Sequence, residues 1–213
     1  YRSLGRNRTL SLTYSSITVE PKPIVTLDAG FPLRTAIPNS LSVRLLVGGL
    51  QQGPERFIDT AVFGLSPNSF SRIASQFDAS NLATGRYSFQ VTVFSNYLNS
   101  SIGTILNESL IVVNQKQSPI GAGWEITELQ RLYPQPEGGI LLTAGDGSAL
   151  FFSGGPDQFI SPARDFSVLA RNGAGGYTRS FKDGTKIEFN AEAFQTAFVD
   201  RSGNVTRYGY DAG

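Results

Sequence analysis

Two tripeptides, Asp146-Gly147-Ser148 and Asp183-Gly184-Thr185, come nearest to a catalytic signature. An aspartyl dyad needs two carboxyls at hydrogen-bond distance so that they share a proton. Nothing in the spacing makes these two segments converge, and Gly in second place suits a turn better than a reacting carboxylate. Gly121-Ala122-Gly123 and Gly138-Gly139 invite a phosphate-loop reading. Neither follows a strand and opens a helix, and no Gly-Lys-Ser/Thr is present, so the anion-cradling geometry is missing. Asp157, Asp165, Asp200 and Asp211 are of a type that binds calcium, but they lack EF-hand spacing and adjacent acidic ligands. No catalytic, cofactor-binding or metal-binding residue is therefore assigned.

Composition narrows the chemistry further. The 213 residues include no His, no Cys and no Met. A Ser-His-Asp triad, a thiol nucleophile, an imidazole or thiolate metal site and a disulfide are all excluded. With 18 Lys+Arg against 17 Asp+Glu, no global field favours nucleic acid or an anionic membrane. No apolar run reaches the ~20 residues of a membrane span. A chain opening at Tyr1 without any Met reads as cut from something larger. Arg2, Arg6 and Arg8 read as a solvated basic terminus. Four glycosylation tripeptides, at Asn7, Asn99, Asn107 and Asn204, matter only in a eukaryotic secretory pathway.

The elements that must carry any site are strands. Leu10–Tyr14, Leu41–Val47 and Tyr87–Val93 alternate apolar with polar residues, the pattern of half-buried antiparallel strands. Ile24–Asp28, Phe57–Phe63, Arg72–Phe77 and Ile105–Val113 add four more, with Pro- and Gly-rich turns between them. Seven short strands at this spacing are the signature of an immunoglobulin-like β-sandwich. Within it, Gly85 and Tyr87 read as a tyrosine corner, in which the hydroxyl turns back to a nearby backbone group. A polar stretch ending at Pro119 marks a linker, which predicts a sandwich over 1–115 and a second region over 116–213.

In the second region Asp146-Gly147, Asp183-Gly184 and Asp200–Asn204 separate alternating segments, which predicts hairpins with type I′ turns. Phe181, Phe189, Phe194, Phe198, Tyr208 and Tyr210 sit at period two. They read first as core or wall and second as a sugar-stacking platform. Phe189-Asn190 aligns with Tyr210-Asp211 at a spacing of 21 residues, with Asp200-Arg-Ser-Gly203-Asn204 between them.

This unit resembles the tyrosine–aspartate (YD) repeat of Rhs proteins, and Gly121-Ala-Gly123-Trp124 resembles the segment that enters their repeat shell. Ala193 stands where the family has Gly. The resemblance implies an all-β protein: an immunoglobulin-like β-sandwich followed by antiparallel β-hairpins of a YD-repeat sheet. It assigns structural roles to Asp200, Gly203, Tyr210 and Asp211, and the residue reading adds Gly85, Tyr87, Gly121, Gly123, Trp124 and Gly184. By this likeness the chain is a non-catalytic part of a large secreted or cell-surface protein, of bacterial source, bracing or closing a shell around a C-terminal effector such as a toxin. Its partner is then the rest of a longer parent chain. The alternative is an extracellular adhesion or carbohydrate-binding module with a glycan or cell-surface partner, reading through exposed aromatics such as Phe94 or Tyr97. A few hairpins would leave an open edge, so residues 116–213 are expected either to pack on the sandwich or to await further strands.

Overall fold

The computed structural model describes every residue except 1, 4, 5, 8, 9, 32–35, 156, 157 and 211–213. Among the described residues it holds twenty strands and no helix, so the chain is all-β. It divides into two compact units, one of Glu20–Val112 and one of Val113 onward together with the residues up to Val19. The leading residues thus cluster with the second half, whereas the sequence reading had joined them to the sandwich. Near the N-terminus β1 (Arg2–Ser3) pairs with β2 (Arg6–Asn7), and β3 (Leu12–Tyr14) follows.

In the unit Glu20–Val112, β4 (Ile24–Phe31) anticipates one sheet and β5 (Ser40–Val47) the other. Short β6 (Leu50–Gln51) and β7 (Arg56–Asp59) both flank β5. The expected strand over Phe57–Phe63 therefore ends early, in a turn capped by Asp59, whose Oδ1 accepts the Ala61 N–H at 2.9 Å. β8 (Ser69–Gln76) pairs with β4. β9 (Gly85–Asn96) lies between β5 and β10 (Ser101–Val112). Leu41, Val43, Leu45 and Val47 alternate inward from β5 and meet Val91 and Val93 of β9, Val25 of β4 and Ile73 of β8 in one core. Alternation drives this arrangement, because each sheet is apolar on one face and must bury it. The result is sandwich-like, with five strands in one layer and two in the other.

The second unit begins with β11 (Trp124–Ile126), paired to β3. Then β12 (Gln130–Pro134), β13 (Ile140–Ala144), β14 (Ala149–Gly154) and β15 (Phe159–Ile160) form one meander. β16 (Val168–Arg171), β17 (Tyr177–Ser180), β18 (Lys186–Phe189), β19 (Gln195–Val199) and β20 (Val205–Arg207) form another. Single antiparallel bridges join them at Gln158↔Ala170 and Arg131↔Phe194. Strands β12 to β19 are thereby linked in a ring around Leu132, Ile140, Leu142, Phe152, Phe159, Leu169, Tyr177, Ile187 and Phe189. The ring closes on itself and fills its own interior, and closure removes the open edges of β12 and β19 at these bridges.

One turn makes six of the hairpins in this unit. It starts at Gln135, Ala144, Asn172, Phe181, Asn190 and Asp200. In each, the first N–H donates to the fifth carbonyl and the fourth N–H to the first carbonyl, all at 2.9–3.1 Å. The fourth residue has positive φ: Gly138, Gly147, Gly175, Gly184, Ala193 or Gly203. This is a type I turn with a glycine-type bulge. The expected type I′ is corrected, because Asp146 and Asp183 do not take the second positive φ it requires. The turns pair as 135 with 144, 172 with 181 and 190 with 200, so the repeat is two hairpins long. The second and third copies start 18 residues apart. The Ala193 turn has the same shape as the others, with Ala held at φ 67°.

At Gly176 the backbone lies close against its neighbour, since a Cβ there would lie 2.1 Å from the Phe189 carbonyl oxygen. Gly176→Ala is expected to destabilise the unit by roughly 3 kcal/mol through that overlap. Gly173→Ala, where a Cβ meets nothing within 4 Å, is expected to be neutral or to stabilise by about 0.4–1 kcal/mol. Urea unfolding of the two variants checks the contrast.

Candidate functional site

Tyr87 enters β9 with its ring packed on the sandwich core, and its hydroxyl donates to the Ala83 carbonyl at 2.9 Å. Burial raises the phenol's pKa, so it stays a neutral donor. Gly85 is buried at the strand's first position, opposite Val112. Phe94 and Tyr97 are half-buried, and the Arg44 guanidinium lies 5.5 Å from the centre of the Phe94 ring. Neither is the exposed aromatic that the glycan reading required.

Gly121 and Gly123 take φ of 117° and 76°. The Gly123 N–H donates to the Gln115 carbonyl at 3.0 Å and its carbonyl accepts the Ser15 N–H at 2.9 Å. A Cβ on Gly123 would sit 2.7 Å from the Ser15 oxygen. Trp124 pairs with Tyr14, with ring centroids 5.2 Å apart, and stays 42% exposed. Beside them the buried Thr18 hydroxyl donates to Gln115 Oε1 at 2.6 Å. The glycine-rich segment is thus a splice that ties residues 14–18 to 115–124.

Asp146 and Asp183 cap their own turns, each Oδ1 accepting the N–H two residues on, from Ser148 and Thr185, at 2.9 Å. Hydrogen bonds from Ser148 hold the Asp146 carboxyl below its ordinary value, and those from Thr185 do the same for Asp183. Each carboxylate thus serves as the cap of its own turn. Gly184 supplies the positive φ of its turn. Asp200 Oδ1 accepts from the Ser202 and Asn204 N–H groups at 2.9 Å, and Gly203 takes φ 82°. The Tyr210 hydroxyl donates to the Gln195 carbonyl at 2.8 Å. Asp157, Arg8 and Asp211 lie outside the described residues, and with Asp211 goes half of the 21-residue alignment. Among the described residues no three acidic side chains gather.

The most demanding group was not singled out from the sequence. Arg179, on β17, has a side chain only 7% exposed. Its Nε donates to Ser167 Oγ at 2.8 Å, one terminal nitrogen to Gln130 Oε1 at 3.0 Å, and the other to Asp165 Oδ2 at 2.6 Å. The guanidinium also lies over the Phe181 and Phe152 rings, at 4.7 and 5.6 Å. Burial lowers the Arg179 pKa and the Asp165 charge opposes that shift. Burial would raise Asp165, but the Ser167 hydrogen bonds and the Arg179 charge outweigh it and hold the carboxyl low. The signal was weak, since an Arg between Thr178 and Ser180 in a short strand looks like any solvent-facing residue.

A cleft opens where β12 and β20 compete for the edge of β19. β12 bridges Phe194, while the Tyr208 N–H reaches the Thr196 carbonyl at 2.9 Å. Its volume is about 450 Å³, and Glu125, Arg131, Tyr133, Phe194, Tyr208 and Tyr210 are among its walls. The Arg131 guanidinium stacks on Phe194 at 4.2 Å and on Tyr133 at 5.2 Å, and the Phe194 and Tyr210 centroids are 4.9 Å apart. Burial pushes the Glu125 carboxyl up, and among the described residues it is the one acid lining the cleft. The aromatic series is therefore split: Phe189 is core, Phe181 and Phe198 pack on it, and Phe194, Tyr208 and Tyr210 form the cleft. The Tyr133, Phe194 and Tyr210 rings face Arg131 or one another, an arrangement that packs side chains. Comparisons with protein-family models, curated proteins and solved structures found no match.

Two outcomes follow from the Arg179 network. Asp165→Asn strands a buried guanidinium and is expected to cost about 3–5 kcal/mol at neutral pH. Because the native Asp165 pKa lies below its unfolded value, its stabilisation is complete above about pH 4 and disappears as the pH falls through the native pKa. Urea unfolding at a series of pH values should show a steeper acid loss in the wild type than in Asp165→Asn.

Proposed function

We propose that this chain is a non-catalytic β-scaffold, a segment of a large secreted or surface protein of the Rhs/YD-repeat kind that braces or closes a β-shell around an effector. The carrying observation is the single turn geometry repeated six times in one unit. Repetition of one hairpin, with Asp or Asn caps, is how quasi-one-dimensional architectures extend by stacking like on like. The filled ring supports a plug or brace in preference to a length of hollow wall. The immunoglobulin-like reading of the first unit rests on its two facing sheets and on the Tyr87–Ala83 hydrogen bond. Asp146, Asp183 and Asp200, which first invited a chemical reading, act as turn caps, which accords with a steric role. Adhesion to glycans ranks second, since the aromatics that would carry it are largely engaged with one another.

The test is the coding sequence that follows the codon for Gly213. Further hairpins with the five-residue turn, each fourth position Gly and successive turns nine or ten residues apart, are the expected result. A stop codon at that point would overturn the proposal.

A further inference from the structure

Among the described residues β10 is the longest strand with a free edge. Its twelve residues pair with β9 in unbroken register, and among the described residues no strand meets its other side. At ~3.4 Å per residue the free edge runs about 40 Å. Natural edges of this length are blunted by Lys, Pro, a bulge or an inward charge. β10 has no Lys, Arg or Pro and no register shift, and its one charge is Glu108. Other outer strands show the contrast: β20 has three residues, β7 has four and begins with Arg56, and the β4–β8 pair carries the exposed Asp28–Arg72 ion pair.

The faces of β10 add to the case. Residues opposite the inward side chains of β9 are Ile102, Thr104, Leu106, Glu108 and Leu110. The facing two-stranded sheet does not reach this far, so Ile102 is 58% exposed and Leu106 40%. Ile105, on the other face, is 58% exposed as well. A strand with unpaired backbone groups and uncovered apolar side chains on both faces is built to receive another strand.

From this we infer that β10 is a homodimer edge, pairing antiparallel with β10 of a second copy about a two-fold axis through Leu106. The pattern of the strand selects both partner and register. A two-fold perpendicular to the sheet pairs residues of the same face. Centred on Leu106, it sets Leu106 against its own copy and Ile102 against Leu110, while Glu108 meets Thr104. Moved to Ile105, the axis would oppose Ile102 to Glu108. At Asn107 it would oppose Leu106 to Glu108, and at Glu108 the two carboxylates would face each other. Only the Leu106 register joins the apolar row across both copies over nearly the whole strand without a charge conflict.

Sedimentation velocity of the full chain over a wide concentration range tests this directly. The wild type should sediment as a dimer. Leu106→Lys, which opposes two ammonium groups at the axis, should sediment as a monomer with unchanged circular dichroism and a thermal midpoint that no longer depends on protein concentration. Because the chain has no Cys, single-cysteine variants read the register. Leu106→Cys should form a disulfide dimer under mild oxidation. Ile102→Cys should cross-link to Leu110→Cys in a mixture but not to itself. A monomeric wild type, or a Leu106→Lys protein that remains dimeric, would overturn the inference.

Discussion

The buried guanidinium of Arg179 is the constraint around which the second unit is arranged. A small ring of strands has an interior that side chains must fill, and a cation placed there is tolerable only when its donors are matched. Asp165, Ser167 and Gln130 accept from it, and the Phe152 and Phe181 rings cover it. These partners come from four places: Gln130 from β12, Phe152 from β14, Asp165 and Ser167 from the segment before β16, and Phe181 from the turn after β17. One residue thereby ties both meanders together, beside the second tie in which Gln195 Oε1 accepts the Gln130 N–H at 2.7 Å. An apolar residue at 179 would fill space as well, but it would not fix the register of β12 against β17 and β19.

The turn is the second organising element, and the cleft arises from a departure in its third copy. Gly139 and Gly176 each follow the positive-φ residue, where a Cβ would come within 2.6 and 2.1 Å of the carbonyls of Phe152 and Phe189. In the third copy that position is Phe194, and Ala193 takes the positive φ. A phenylalanine cannot allow the same approach. Its ring instead lies against Arg131 and Tyr210, β20 pairs only with the far end of β19, and a gap remains between β20 and β12. Aromatic residues that would be core in a faithful repeat become cleft walls here.

The first unit is limited by unequal layers. Two strands facing five bury the alternating row of β5, the middle of β9 and the end of β10 at Leu110 and Val112. The earlier part of β10 has no such cover, and Ile102, Ile105 and Leu106 stand in solvent.

Much of this was legible in local pattern. Period-two alternation identified β5 and β9 because each buries one face against a neighbouring layer, turn residues on either side marked β4, β8 and β10, and Asp-Gly or Asp-x-x-Gly located several turns because few residues take positive φ. Short strands with mixed faces, such as Val168–Arg171 and Gln130–Pro134, lacked that signal. Closure of the ring depends on Arg131 meeting Phe194 and Gln158 meeting Ala170, contacts between residues distant in sequence with no mark of their own. The same is true of the Arg179 network, whose meaning comes from burial, and of β3, whose alternation was clear but whose partner proved to be Trp124–Ile126. Composition and alternation alone determined that the chain is built of antiparallel strands and lacks imidazole and thiol chemistry. Which strands enclose a core, which charge is sealed inside and which edge stays open were decided by tertiary structure, because burial is a property of the neighbours a residue acquires only on folding.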